Sequence, residues 1–304
     1  MKHVISAQHF DRSELLALLQ KAQTMLQVKE MGGADTLRGK IMAALFFEPS
    51  TRTRLSFESA MMRLGGNVIS TENAREFSSA IKGETLEDTI RVVSGYADVI
   101  VLRHHEIGAG ARAAHVSSVP VLSAGDGAGE HPTQALLDLF TIHQEIGRVE
   151  DLTVTLIGDL LYGRTVHSLV YILSQFKGIR LICTAPAATS LPSDVLAYAT
   201  ARGVVVEQEP DLARALQSAD VVYQTRVQKE RFASSEEYEK NKAAYVIDQT
   251  AMTYLPPHAI LMHPLPRAGE IAPVVDADPR AAYFRQSHYG VPVRMALLLR
   301  AFGQ

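Results

Sequence analysis

The sequence predicts an α/β protein of two doubly wound domains, each with a mainly parallel sheet covered by helices on both faces. Three observations carry that expectation. Short apolar or β-branched runs recur along the chain. Most of the segments between them are long enough for crossover helices, which parallel strands require. At 304 residues the chain is long for one core and comfortable for two.

The runs expected as strands are, in order, IMAALFF (41–47), NVIST (67–71), DVIVLR (98–103), VPVLSA (119–124), LTVTLIG (152–158), IRLICTA (179–185), VVVEQE (204–209), DVVYQT (220–225), AYVID (244–248) and AILMHP (259–264). Near-continuous apolar strands suit sheets buried on both faces. After the first run, Leu55, Phe57, Ala60, Met61 and Leu64 recur at mostly helical spacing. GEHPTQALLDLFTIHQEIGR (129–148) reads as a helix with Leu136, Leu137, Phe140 and Ile146 on one stripe, ended by Gly147. The final VPVRMALLLRAFG is helical again. The expected domains are 1–147, with the terminal helix 291–304 packing back on it, and 148–290, with a ligand cleft between them.

Bulk properties narrow the function. Net charge is −3 and charged residues are 21% of the chain, so no global basic field serves nucleic acid or an acidic membrane surface. An anionic ligand must be held by local positive charge. The one cysteine, Cys183, lies in an apolar run and reads as a buried strand thiol, which fits a reducing compartment. The N-terminal stretch lacks the apolar core of a signal peptide and no run approaches a membrane span, so a cytoplasmic protein is expected.

In open α/β sheets, ligands bind beyond the carboxyl ends of the strands. After IMAALFF comes E-P-S-T-R-T-R. Ser50 or Thr51 would sit at a helix N-terminus, whose free N–H groups and dipole favour an anion, and Arg52 adds a fork suited to phosphate oxygens. A capped helix with solvated arginines is the plainer reading of the same spacing. DVIVLR ends in Arg103, followed by His104 and His105. Adjacent histidines on an extended chain point apart, so no metal site is expected there. VPVLSA leads into GDGAGEHPTQ, where three glycines permit tight turns and His131, Thr133 and Gln134 open a helix. His131 could donate to a carbonyl oxygen and Gln134 could bond an amide-like group, although a lone histidine also serves structurally. Ser78 and Lys82 lie in a polar stretch that by itself reads as a surface loop.

The second half carries arginines at the matching positions. LTVTLIG is followed by DLLYGRT, a strand–turn–helix without the G-x-G-x-x-G fingerprint of dinucleotide sites. Arg164 there favours a carboxylate over a pyrophosphate. Arg226, Gln228 and Arg231 follow DVVYQT. After AILM, Pro264 and Pro266 flank Leu265 and fix a loop whose carbonyls are available as acceptors, or simply a rigid turn. The first half thus offers a phosphate-sized site and the second half offers carboxylate sites. The sequence holds no Walker A motif, metal constellation or Ser-His-Asp signature.

S-T-R-T-R at 50–54, H-P-T-Q at 131–134 and H-P-L-P-R at 263–267, in this order and spacing, resemble the aspartate/ornithine carbamoyltransferase family over essentially the whole chain. The resemblance implies a carbamoyl-phosphate domain, an aspartate domain and a catalytic homotrimer with active sites shared between subunits. It implies phosphate binding by Ser50, Thr51, Arg52 and Thr53. Arg103 would reach both phosphate and carbonyl oxygen, and His131 with Thr53 would polarise the carbonyl. Gln134 and the backbone carbonyls of Pro264 and Leu265 would hold the carbamoyl amino group. Arg164, Arg226 and Gln228 would bind the carboxylates of aspartate, with Lys82 also on the aspartate side. Ser78 and Lys82 match a loop lent to the neighbouring subunit's site, which overrides the surface-loop reading. Glu48 and Arg231 match positions that hold the domains closed.

Thr133 and Pro264 stand where ornithine-specific relatives carry cysteine, the S-M-G loop of those relatives is missing, and Arg164 and Arg226 suit a dicarboxylate. The resemblance therefore implies transfer of a carbamoyl group from carbamoyl phosphate to L-aspartate, a step of pyrimidine biosynthesis. It implies no cofactor, no metal, no nucleic acid and no membrane partner. It leaves room for a separate regulatory chain or a complex with other pathway enzymes. A nucleotide-dependent oxidoreductase and a non-catalytic metabolite binder are the rival readings, and within the family a transferase for another amino acid is the main alternative.

Overall fold

The computed structural model describes residues 2–74, 83–226 and 245–304. The chain divides into two compact units, 1–140 with 288–304, and 141–287. The first boundary falls inside helix Pro132–Ile146 and the second inside helix Tyr283–Ala301.

The first unit is built on strands β1 (Ile41–Phe46), β2 (Asn67–Glu72), β3 (Val99–His104) and β4 (Val121–Asp126). All pair in parallel, in the spatial order β2-β1-β3-β4. One face of the sheet, with Ala43, Leu45, Ile100 and Leu102, packs on Leu86 and Ile90 of helix Leu86–Val93 and on Ala109 and Ala113 of helix Ala109–Val116. β1 and β3 are apolar and buried along nearly their whole length, as strands covered on both faces must be. On helix Thr51–Arg63, Phe57, Ala60 and Met61 are buried, but Leu55 is 49% exposed, contrary to its place in the apolar pattern. Leu55 and Met62 stand seven residues apart, two turns of helix, on a separate face from Phe57.

The second unit carries β5 (Thr153–Ile157), β6 (Arg180–Thr184), β7 (Val205–Gln208), β8 (Val221–Gln224) and β9 (Ile260–Met262). They form a parallel sheet in the order β7-β6-β5-β8-β9. Ile157, Val222 and Leu261 share a core with Ala251, Met252, Val275 and Tyr283. The expected strand AYVID is a correction. Within 245–248, only Ile247 pairs, in an isolated bridge to Ile271. The chain turns at once into helix Gln249–Tyr254, because the Asp248 carboxylate accepts the Ala251 N–H as an N-cap. Cys183 is buried and burial pushes its thiol up to about 12, so it is an inert strand residue. Among the described residues no helix is long and apolar enough to cross a membrane.

Candidate active site

In both sheets the chain reverses its winding direction at one place. In the first unit that place lies between β1 and β3, and in the second between β5 and β8. In open sheets of this kind loops diverge at such a place, and ligands bind in the crevice beyond the carboxyl edge.

At the first switch point, β1 runs into helix Thr51–Arg63. Ser50 is the N-cap but its side chain makes no cap hydrogen bond, which leaves the hydroxyl for a ligand. The helix hydrogen bonds begin with Arg54 N donating to Ser50 O at 3.0 Å, so the N–H groups of Thr51, Arg52 and Thr53 precede the ladder. That is the geometry of an anion site. The two arginines of this motif differ. Arg54 pairs with Glu58 at 3.2 Å and Glu72 at 3.0 Å, which makes it structural. Arg52 is exposed to solvent, yet desolvation by the protein around it lowers its pKa from the ordinary arginine value, with no carboxylate acting in the other direction. It stays cationic at neutral pH.

Arg103 is held beside this turn. It pairs in register with Phe46, and its carbonyl accepts the Phe47 N–H at 2.8 Å. Its Nη1 donates to Ala124 O at 3.3 Å, and its Nε lies 3.6 Å from the Glu48 carboxylate. The side chain is largely buried, so its charge acts in a poorly solvated setting. From β4, the Asp126 carboxylate accepts the N–H groups of Gly108 and Glu130, both at 2.9 Å, and ties the 125–131 loop to the turn after β3. Gly127 has φ +50, and a Cβ there would lie 2.5 Å from His105 O, so this close approach requires glycine. His131 is buried directly before helix Pro132–Ile146, and Gln134 in its first turn donates Nε2–H to Asp138 at 2.8 Å. Thr53 is buried too. Within the first unit the structure therefore sets Ser50, Thr51, Arg52, Thr53, Arg103, His131 and Gln134 on the loops and helix starts at one edge of the sheet.

The expectation that His104 and His105 diverge is not met. Their rings stack with centroids 4.3 Å apart. The reason is an irregularity in the β3–β4 register between Leu102 and His104, which ends the strict alternation of an extended strand. With Glu106 they bring three metal-ligating atoms within 4.8 Å of one another. Two of the three already have partners in the turn. His104 Nδ1 accepts the Glu106 N–H at 3.1 Å and Glu106 pairs with Arg112 at 2.5 Å.

At the second switch point, the ends of β5 and β8 touch. Thr225 Oγ1 donates to Ile157 O at 2.9 Å, and a Cβ on Gly158 would collide with the Thr225 carbonyl. Arg226 follows immediately. On the other side Asp159 accepts the Tyr162 N–H at 2.9 Å and folds the turn that delivers Arg164 as the first residue of helix Arg164–Leu173. Arg164 and Arg226 thus stand after the two strands that flank the reversal. Gln228 and Arg231 lie outside the described residues, as do Ser78 and Lys82.

The loop after β9 is shaped by a buried pair absent from the sequence expectations. Leu265 N–H donates to His263 Nδ1 at 2.7 Å, so the other ring nitrogen donates to Glu270, also at 2.7 Å. Glu270 also accepts the Ala268 N–H at 2.8 Å, and Gln286 Oε1 accepts the His263 N–H at 2.9 Å. These contacts hold the backbone of Pro264 and Leu265, with Leu265 at φ +51 and a cis bond to Pro266. Arg267 is engaged with Asp276 and Tyr283, which gives the motif's arginine a structural task.

Burial pushes the Glu270 carboxyl up, but the bonds from His263 and the Ala268 amide outweigh it and hold the carboxyl below its ordinary value. A depressed folded pKa stabilises the fold fully above the unfolded value of about 4.3. That contribution drains as pH falls through the folded pKa. Below about pH 4.3, thermal stability of the wild type should fall more steeply than that of Glu270→Gln. Identical acid slopes in the two proteins would contradict the pairing.

Fold and site together define a two-unit parallel α/β protein with cationic residues at both switch points. The family models describing the carbamoyl-P binding domain and the Asp/Orn binding domain of aspartate/ornithine carbamoyltransferase match residues 2–144 and 150–301, and the chain belongs to this family. An aspartate carbamoyltransferase of Pisum sativum, described as chloroplastic, is 52% identical over 97% of this chain and 77% of its own length. The catalytic subunit of M. jannaschii aspartate transcarbamoylase is similar with a TM-score of 0.93 at 47% identity, covering 100% of this chain and 98% of that one. A Trypanosoma cruzi aspartate transcarbamoylase in complex with carbamoyl phosphate and aspartate gives a TM-score of 0.92 at 45% identity, over 98% of this chain and 94% of that one.

Proposed function

We propose that this chain is an aspartate carbamoyltransferase, transferring the carbamoyl group of carbamoyl phosphate to the amine of L-aspartate in pyrimidine biosynthesis. The observation that carries the reading is the placing of cationic residues at both switch points: the open helix start with Arg52 and Arg103 in one unit, and Arg164 with Arg226 in the other. The phosphate of an acyl phosphate suits the first set and a dicarboxylate the second.

In this reading Ser50, Thr51, Arg52 and Thr53 hold the phosphate. Gln134 and the carbonyls of Pro264 and Leu265 take the carbamoyl amino group, and Arg164, Arg226 and Gln228 take the aspartate carboxylates. The aspartate nitrogen attacks the carbamoyl carbon and the carbonyl electrons move to oxygen. Thr53, Arg103 and His131 stabilise that oxyanion, and such stabilisation is usually the largest single source of rate in acyl transfer. The bond from carbon to the phosphate oxygen then breaks, and the departing phosphate takes the amine proton. The reaction needs no cofactor or metal. Bringing two mutually repelling anions together supplies much of the rest of the rate.

The assembly in this reading is a homotrimer in which Ser78 and Lys82 serve the neighbouring subunit's site, while Glu48 and Arg231 act in domain closure. Exposed Leu55 and Met62 on one face of helix Thr51–Arg63 give a subunit contact something apolar to bury. A regulatory chain or pathway-enzyme complex is compatible with it. We place the reaction in the cytoplasm, supported by the single buried Cys183.

The test is binding of phosphonoacetyl-L-aspartate, which joins a phosphonate and both carboxylates in one molecule. Linked fragments that engage both sites at once gain roughly 10²–10⁴ over either alone. Affinity of that order, competitive with carbamoyl phosphate, is expected. Affinity no better than that of the separate substrates would mean the two sites do not serve one reaction.

A further inference from the structure

We propose that the buried Asp138 carboxylate sets the orientation of the Gln134 amide and thereby the preference for a carbamoyl NH2 over an apolar isostere. The inference rests on the reading in which Gln134 meets the carbamoyl amino group.

Gln134 and Asp138 stand one turn apart on helix Pro132–Ile146, with Nε2 donating to Oδ1 at 2.8 Å. Asp138 is fully buried. A carboxylate only accepts, so it selects the NH2 end of the amide. The carbonyl oxygen of Gln134 is then the end turned away from Asp138. An oxygen there accepts from a substrate NH2, whereas a flipped amide would set donor against donor.

A second buried charge lies in the same unit. Arg294, on helix Tyr283–Ala301, is itself buried, at 3% exposure. Burial lowers its pKa to about 10, with the charge of Asp138 acting in the opposite direction, so it remains a cation at neutral pH. Its guanidinium carbon also lies 5.0 Å from the ring centroid of Phe57, on the helix whose N-terminus carries Thr51–Thr53. Room for it comes from Gly290, one turn earlier, where a Cβ would collide with Arg294 Nη1. Glycine is a poor helix former, and this close approach is a reason for it inside a helix.

The experiment compares carbamoyl phosphate with acetyl phosphate, which has CH3 in place of NH2, on the purified full-length protein. The readouts are kcat/KM for carbamoyl phosphate and the inhibition constant of acetyl phosphate in the same assay. In Asp138→Leu/Arg294→Met, both buried charges are removed together, so that neither is left uncompensated. Its discrimination should fall by about 10- to 100-fold, through carbamoyl phosphate alone. Asp138→Asn, whose amide both donates and accepts, should lose less, and it carries the test if the paired variant does not fold. In a Gln134→Ala background, Asp138→Asn should change the ratio no further, since a residue acting through Gln134 has nothing left to act on.

Equal losses for the two phosphates in the Asp138 variants would mean a purely structural role and would overturn the proposal. So would an unchanged ratio in Asp138→Asn while Gln134→Ala collapses it. An unchanged ratio in Gln134→Ala would instead overturn the reading of Gln134 itself.

Discussion

Replacing Arg103 with alanine is expected to lower kcat by about 10²–10³-fold, the cost of removing one oxyanion donor. Three features make this the largest single effect in the first unit. Arg103 sits on β3 at the winding reversal, directly beside the turn that opens the phosphate helix. Its side chain is largely buried, so the charge is worth more than in water. It is also aimed by its neighbours, Glu48 at 3.6 Å and Ala124 O at 3.3 Å, so little reorganisation is needed as charge develops. Arg103→Lys should recover little, because a point charge cannot repeat the forked contacts. Steady-state kinetics at saturating substrates decide this. Turnover near the wild-type level in Arg103→Ala would remove it from the chemistry.

The second large effect is expected at the acceptor side. Arg164→Ala or Arg226→Ala should raise KM for aspartate by about 10²-fold or more, the scale for stripping a charged partner from a carboxylate. Carbamoyl-phosphate affinity should stay within about threefold, a change below 1 kcal/mol. The asymmetry follows from placement. Both arginines follow strands of the second sheet, whereas the phosphate residues belong to the first. A parallel loss of carbamoyl-phosphate binding would show that these arginines shape the protein rather than meet aspartate.

Much of this architecture was legible in the sequence because parallel strands buried on both faces read as plain apolar runs. All but one of the expected strands form. The exception, AYVID, has the composition of a strand, but Asp248 caps a helix where the strand would continue. Periodicity put Leu55 among the buried residues because no local pattern says which of two helical faces meets the core. The residues after the strand ends were legible as candidates because strand ends are where such sheets bind. Their supports were not. His263 and Glu270 are seven residues apart across a turn, and Arg294 lies over the ring of Phe57, more than 200 positions away in the chain. Pairings of that kind are fixed by tertiary packing, which spacing does not encode. Gln134 with Asp138 and Arg54 with Glu58, each at i and i+4 on a helix, are supporting pairs that spacing could have found. The stacked His104 and His105 follow from a register irregularity that no residue type announces.

The central claim is that one set of residues cradles a phosphate while the other selects a dicarboxylate amine. The most direct measurement is product formation by the purified protein from carbamoyl phosphate, with L-aspartate and L-ornithine supplied in separate reactions. Carbamoylated aspartate, with release of one phosphate per product and no turnover of ornithine, is the predicted result. Turnover of ornithine in place of aspartate would keep the phosphate cradle and contradict the roles given to Arg164 and Arg226.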